Sequence, residues 1–360
     1  MLEKGEVEFE LDERNCTTTV VVEPLLKHMR LTKFPFVVGS EQAVISPPLE
    51  KVLELLDSGA TIGARLTIDS RLRSDPMDSQ LCLLTVHAHP DDEASKGAAT
   101  VARYHAEGVR TILVCCTGGE EGDILNPAMD RPDVRENIHD VRMQELAASA
   151  AIIGFDEVVM LGYRDSGMPD TAANRHPDNF ANADLDEAVG QLVRIIRRER
   201  PQVMITYPPV QGRYLHPDHL RVHEVSVPAF ELAGDPGYRV EVGDPWGPTK
   251  LYYTVRTRSR MEGRHAAFLE QGLDSPYDKT RLERPTQDDR ITTQISTDGH
   301  AAVRLDALRA HATQIDPNSK RYFGLPAEVE HSIHPFDDYV LALGPEPAQR
   351  PEIDLFAGIR

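Results

Sequence analysis

From residue 81 onward, short and almost wholly apolar runs alternate with amphipathic segments of roughly 10 to 17 residues, and this rhythm limits the chain to few folds. The apolar runs fall at residues 81–86, 111–116, 157–161, 203–206 and 250–255. Helical patterns lie between and after them at 96–107, 137–153, 185–199 and 219–233, the first two closed by Gly108 and Gly154. Runs that are apolar on both faces suit strands buried on both sides. The pattern therefore predicts βαβ units on a mostly parallel sheet, an α/β fold. A further helix is expected over 302–312, whereas 335–343 mixes helix and turn signals. Ligands in such folds sit beyond the carboxyl ends of the strands.

Ahead of this region, TTTVVVEPLL and FPFVVG read as short strands and LEKVLELLDSG as a short amphipathic helix. The tract RLRSDPMDSQ has the composition of a linker. The expected division is an accessory segment over 1–76, a main domain over 77–345 and a tail over 346–360. No run approaches the roughly 20 apolar residues that cross a bilayer, and MLEKGEVEFELDER carries no apolar signal core. A cytoplasmic location without membrane association is expected. The 58 acidic residues exceed the 39 basic ones, a net charge of -19 that should repel nucleic acid. Of Cys16, Cys82, Cys115 and Cys116, three sit in strand-like runs, which predicts buried free thiols rather than disulfides or a thiolate metal site. The glycine-rich TGGEEG at 117–122 lacks the lysine and spacing of a nucleotide loop.

Two polar clusters interrupt the pattern where a ligand belongs. His87, Ala88, His89, Pro90, Asp91, Asp92 and Glu93 follow the first strand, and His216, Pro217, Asp218 and His219 lie just beyond the strand at 203–206. Both contain His-Pro-Asp with a second ligand candidate three residues after the histidine, a spacing that lets two side chains face one point at a helix entry. A catalytic zinc takes three protein ligands of nitrogen and oxygen type and keeps a position for water. His89, Asp92 and His219 would supply them, leaving Asp91 and His216 for proton transfer. Residue types alone leave zinc, iron and manganese open. Glu93 is expected either to orient the cluster or to cap the helix start. Asp218 is expected either to hold His216 in its proton-donating tautomer or to make a local turn hydrogen bond.

The segments AHPDDE (88–93) and HPDH (216–219) resemble the LmbE-like, or N-acetylglucosaminyl-phosphatidylinositol de-N-acetylase, superfamily. The stretches SKGAATVARYHAEGV, TGGEEGDILNPAMDRPDVREN, YRDSGMP, HEVSVPAFELAGDP, LRAHATQIDP and DLFAGI extend the likeness to about residues 80–359, and resemble the mycothiol S-conjugate amidases within it. The resemblance implies a Rossmann-like three-layer sandwich with a small N-terminal extension. It implies one Zn2+ per chain, with Fe2+ as the alternative, on His89, Asp92 and His219. It makes Asp91 the general base, His216 the general acid or electrostatic partner, and Tyr214 the stabiliser of the oxyanion. It further implies that Arg131 and Asp165 contact inositol hydroxyls, and that Lys96 separates amidases from the related deacetylases. The chain departs from the family's DxxGGYxHPDH approach, reading PPVQGRYLHPDH, so Pro208, Pro209 and Arg213 alter the loop bearing Tyr214. Residues 1–76 lie outside the likeness and are expected to be an added domain or the product of an early start, since Met77 stands just ahead of the first family strand.

The implied reaction is hydrolysis of the amide in mycothiol S-conjugates, releasing a mercapturic acid and glucosaminyl-inositol, in detoxification or antibiotic biosynthesis. The expected partner is thus a small thiol conjugate containing glucosaminyl-inositol, and a homo-oligomer is compatible with the sequence. Deacetylation of N-acetylglucosaminyl-inositol is the alternative chemistry. A non-catalytic binding protein is the alternative class, set against ligand, base and acid positions that are all intact.

Overall fold

The computed structural model describes residues 80–211 and 215–360, together with the backbone of short strands within residues 20–66. The chain divides into two compact units, residues 1–79 and 80–360. In the first, β1 (Val20–Val22), β2 (Val37–Val38), β3 (Ala43–Ile45) and β4 (Arg65–Leu66) form a sheet in the order β2-β3-β1-β4. Each of its pairs is antiparallel. The helix expected over LEKVLELLDSG lies outside the described residues, as does Cys16.

The second unit is built on a seven-stranded sheet. Its strands are β5 (Cys82–His87), β6 (Arg110–Thr117), β7 (Glu157–Tyr163), β8 (Val203–Thr206), β9 (Lys250–Thr254), β10 (Thr293–Ser296) and β11 (Phe336–Leu343). They lie in the order β10-β11-β9-β8-β5-β6-β7. The run β7-β6-β5-β8-β9 is parallel, and β11 and β10 close the edge antiparallel. The order reverses at β5, which pairs with β6 on one side and β8 on the other. A crevice opens at such a switch point, beyond the carboxyl ends of the two central strands.

Helices cover both faces, giving the expected α/β, Rossmann-like arrangement. They are α1 (Asp92–Ser95), α2 (Ala98–Ala106), α3 (Ile138–Ile153), α4 (Leu185–Glu199), α5 (Pro217–Leu232) and α6 (Ala301–Ala310). Every residue of β5 is buried, and its side chains alternate between the layers. Leu84 and Val86 pack with Leu192 and Val193 of α4 and Val222 of α5, while Leu83 packs with Val101 of α2 and Leu308 of α6. Helix α4 starts where Asp184 accepts the Glu187 N–H at 3.0 Å, and α3 stops at Gly154, whose φ of 95° suits a residue without Cβ.

Two departures from the sequence reading lie at the antiparallel edge. Residues 336–343, where helix and turn signals mix, form strand β11, and β10 has no counterpart in the apolar pattern. Asp337 and Asp338 obscure β11 because acidic residues are depleted in strands. Here both are buried, Asp337 against Arg304 and Asp338 against Gln294. The tail set apart at 346–360 is packed into this unit. Leu355 and Phe356 are fully buried, and Glu352 accepts from Lys250 Nζ at 2.7 Å. Cys82, Cys115 and Cys116 are buried free thiols, as expected. Among the described residues, no helix is long and apolar enough to cross a membrane.

Candidate metal centre

Strand β5 ends at His87, and the chain turns immediately into α1, so His89, Asp91 and Asp92 emerge at the switch point. Strand β8 ends at Thr206 on the neighbouring track, and α5 begins with Pro217 at its first position. His219 is thereby in the first turn of α5, facing the turn after β5.

His89, Asp92 and His219 are all buried, and one ligand atom from each lies within 4.8 Å of the others. His219 Nε2 is 3.2 Å from Asp92 Oδ2, and His89 Nδ1 is 3.6 Å from the same oxygen. His89 Nε2 points the other way, 3.1 Å from Asp218 Oδ2 and 3.6 Å from Asp165 Oδ1. A second group of potential ligands therefore contains His89, Asp165, His216 and Asp218. Burial opposes a charge on His89, yet the carboxylates of Asp165, Asp218 and Asp92 raise its pKa well above the ordinary imidazole value. Burial pushes His219 down to about 3, keeping it a neutral donor. Burial works against ionisation of Asp92, but Lys96 and His219 hold its carboxyl well below the usual range. Two buried imidazoles and a carboxylate that meet at one point form a set capable of coordinating a divalent metal.

Asp91 stands beside this set in an unusual backbone conformation, with φ at 100°. Arg142 of α3, itself buried, donates to Asp91 Oδ2 at 3.1 Å and also to the carbonyls of Pro90 and Gly119. Burial pushes the Asp91 carboxyl up to about 6, against the pull of Arg142. His216 caps α5, and its Nδ1 accepts the Asp218 N–H at 3.3 Å. Burial and the neighbouring His89 lower its pKa. Asp218 makes the local turn bond through its backbone, while its carboxylate accepts from the Ser166 N–H at 2.9 Å and from the Ser166 hydroxyl.

The remaining expected residues divide. Asp165 is in the cluster, fixed by the Gly167 N–H at 2.8 Å. Burial alone would raise its carboxyl, but His89 holds it well below the usual range. Lys96 donates to Asp92 Oδ1 and lies 5.2 Å from the centre of the Tyr207 ring, so it contacts a metal-ligand candidate directly. Glu93 faces away, bonded to His311, Ser149 and the Asp91 N–H. Arg131 is half exposed and held by Asp133 and the Ala128 carbonyl, not by the cluster. Tyr214 and Arg213 lie outside the described residues.

Three contributors were not singled out from the sequence. Arg142 braces Asp91, as above. Tyr207, the first residue after β8, bonds His87 Nδ1 at 2.9 Å and the Ala88 N–H at 3.3 Å, and its ring lies 4.9 Å from that of His219. Gln211 brackets His219, with Oε1 at 3.2 Å from Nδ1 and Nε2 donating to the His219 carbonyl at 2.8 Å. The TYPP run directly after a predicted strand was the available signal for Tyr207; a mid-helix arginine offers none.

Residues 84–230 match the family model for GlcNAc-PI de-N-acetylase (PIG-L). The chain is 43% identical to a mycothiol S-conjugate amidase of Streptomyces coelicolor over 293 residues, covering 79% of this chain and 99% of the relative. It is 39% identical to a 1D-myo-inositol 2-acetamido-2-deoxy-alpha-D-glucopyranoside deacetylase of Streptomyces scabiei, covering 77% and 89%. Among solved structures, the N,N'-diacetylchitobiose deacetylase of Pyrococcus horikoshii shares the fold, with a TM-score of 0.51 over 82% of this chain and 93% of that one at 15% identity.

Proposed function

Because the chain belongs to the GlcNAc-PI de-N-acetylase, or LmbE-like, family, we propose that it is a metal-dependent amidase that hydrolyses the amide of mycothiol S-conjugates. The observation that carries the reaction type is the buried meeting of His89, Asp92 and His219 with Asp91 alongside. The substrate class rests on the amidase relative, which this chain matches over nearly its whole length.

In this reading His89, Asp92 and His219 would hold one Zn2+ per chain, with Fe2+ as the alternative. Such an ion supplies Lewis-acid activation of water and of the scissile carbonyl. Asp91 takes the proton of the water that attacks the carbonyl carbon, a task suited to a carboxyl raised toward neutrality. His216, with Nδ1 engaged by the Asp218 N–H, presents an Nε2–H to the departing nitrogen. The C–N bond breaks to leave an N-acetylcysteine S-conjugate and glucosaminyl-inositol. Tyr214 is assigned to the oxyanion, and Asp165 and Arg131 to the inositol hydroxyls. Lys96, which also donates to Asp92, is assigned to the substrate on the resemblance to the amidases. The reaction is assigned to residues 77–345 together with the packed segment 346–360, with 1–76 accessory and the enzyme cytoplasmic.

The second reading, deacetylation of N-acetylglucosaminyl-inositol, is favoured by the deacetylase relative at 39% identity. Both reactions cut an amide at the same sugar nitrogen and differ in the acyl group. Competition kinetics with a mycothiol S-conjugate and N-acetylglucosaminyl-inositol, at equal metal content, separates them. The expected result is a kcat/KM at least about tenfold higher for the conjugate, which corresponds to about 1.4 kcal/mol of transition-state binding. A reversed preference assigns the chain to the deacetylases.

A further inference from the structure

We infer that His311 is a positioning residue for Asp91, acting through Glu93; the inference rests on the amidase reading above. His311 follows α6 and lies 218 residues beyond Glu93, yet its Nε2 is 2.6 Å from Glu93 Oε1. Both side chains are fully buried. The other oxygen, Glu93 Oε2, accepts the Asp91 N–H at 2.9 Å. A single carboxylate thus ties a distant histidine to the backbone of the proposed base.

Asp91 needs such a tie. A φ of 100° is rare for a residue with a side chain and persists only where the surroundings impose it. Arg142 holds the Asp91 carboxylate and the Pro90 carbonyl from one side, and Glu93 holds the amide from the other. Glu93 in turn depends on its partners, because a carboxylate removed from water is costly unless paired and hydrogen-bonded. Ser149 provides one bond to Oε1 and His311 the other, so His311 acts as a donor that fixes the carboxylate. The same segment clamps the helix that bears Arg142 and Ser149. Thr313 donates to Glu145 of α3 through its N–H and its hydroxyl, both at 2.7 Å. The LRAHATQIDP stretch, which supplies no group to the metal cluster, is placed by these contacts behind the Asp91 turn.

The test uses the full chain loaded with one equivalent of zinc, with kcat, KM and metal content measured for wild type, His311→Leu and His311→Gln. Leucine fills the volume without a donor, whereas the glutamine amide reaches the position of Nε2. The expected outcome for His311→Leu is a kcat at least about tenfold lower, with KM within about twofold and zinc retained. His311→Gln should keep at least half of the wild-type kcat. If the leucine variant does not accumulate, His311→Asn replaces it, since its amide stops short of Glu93. Wild-type kcat in the leucine or asparagine variant overturns the inference while the amidase reading stands. A wild type that hydrolyses neither the conjugate nor the acetylated sugar overturns both.

Discussion

Asp218 Oδ2 lies 3.1 Å from His89 Nε2 and 3.9 Å from His216 Nδ1, so the carboxylate of one motif is paired with the histidine of the other. An imidazole that gives one N–H to a carboxylate has its ring orientation and its tautomer set, and the opposite nitrogen becomes the better ligand. In His89 that nitrogen is Nδ1, on the side of Asp92 and His219. Asp218→Asn should therefore weaken metal binding by about 10–100-fold. Chelator competition measures this, and unchanged affinity would show that the pair does not orient the ligand.

As the proposed base, Asp91 would take a proton without serving as a metal ligand. Asp91→Asn should keep one equivalent of metal and lose roughly 10²–10⁴-fold in kcat. Near-normal turnover in the metal-loaded variant would move the base elsewhere.

Asp337 should make stability depend on pH. Burial alone would raise its carboxyl, but Arg304 and Arg260 outweigh this and hold it below the usual 3.8, with Thr100 adding a hydrogen bond at 3.0 Å. A carboxyl whose pKa is lower folded than unfolded stabilises fully above the unfolded value, and the contribution fades as pH falls toward the folded one. Asp337→Asn leaves the largely buried Arg304 without its counter-charge, which costs about 3–5 kcal/mol. The gap between wild type and variant in urea unfolding should be widest near about pH 7 and shrink below about pH 4. A gap independent of pH contradicts this.

The last segment should be indispensable to the main unit. A chain ending at residue 345 would expose the core around Leu355 and Phe356, whose burial is worth about 1.5–3 kcal/mol each. It would also leave Lys250 buried without Glu352, 2.7 Å away. Thermal unfolding of the truncated chain is expected far below wild type, or the chain will not accumulate. An unchanged midpoint would show that the segment is an appendage.

The parallel half of the fold and the ligand candidates were legible because their signals are local. Strand β8 and helix α4 begin and end where the apolar pattern places them, and two His-Pro-Asp turns follow strand ends. What escaped depends on distant packing. Arg142 reads as an ordinary helix charge until α3 brings it against the Pro90 and Gly119 carbonyls. The Glu93–His311 pair spans 218 residues. Strand β11 hides behind two aspartates whose partners come from other elements.

A bound divalent ion on His89, Asp92 and His219 would be visible in the metal content of the protein. Elemental analysis of the purified, unchelated chain should find about one equivalent of zinc or iron, consistent with a site of two imidazoles and a carboxylate. His219→Ala removes one of the three candidate ligands and should lose that metal while the fold remains. Full retention of metal by His219→Ala, or none in the wild type, would contradict the assignment of His89, Asp92 and His219 as the centre.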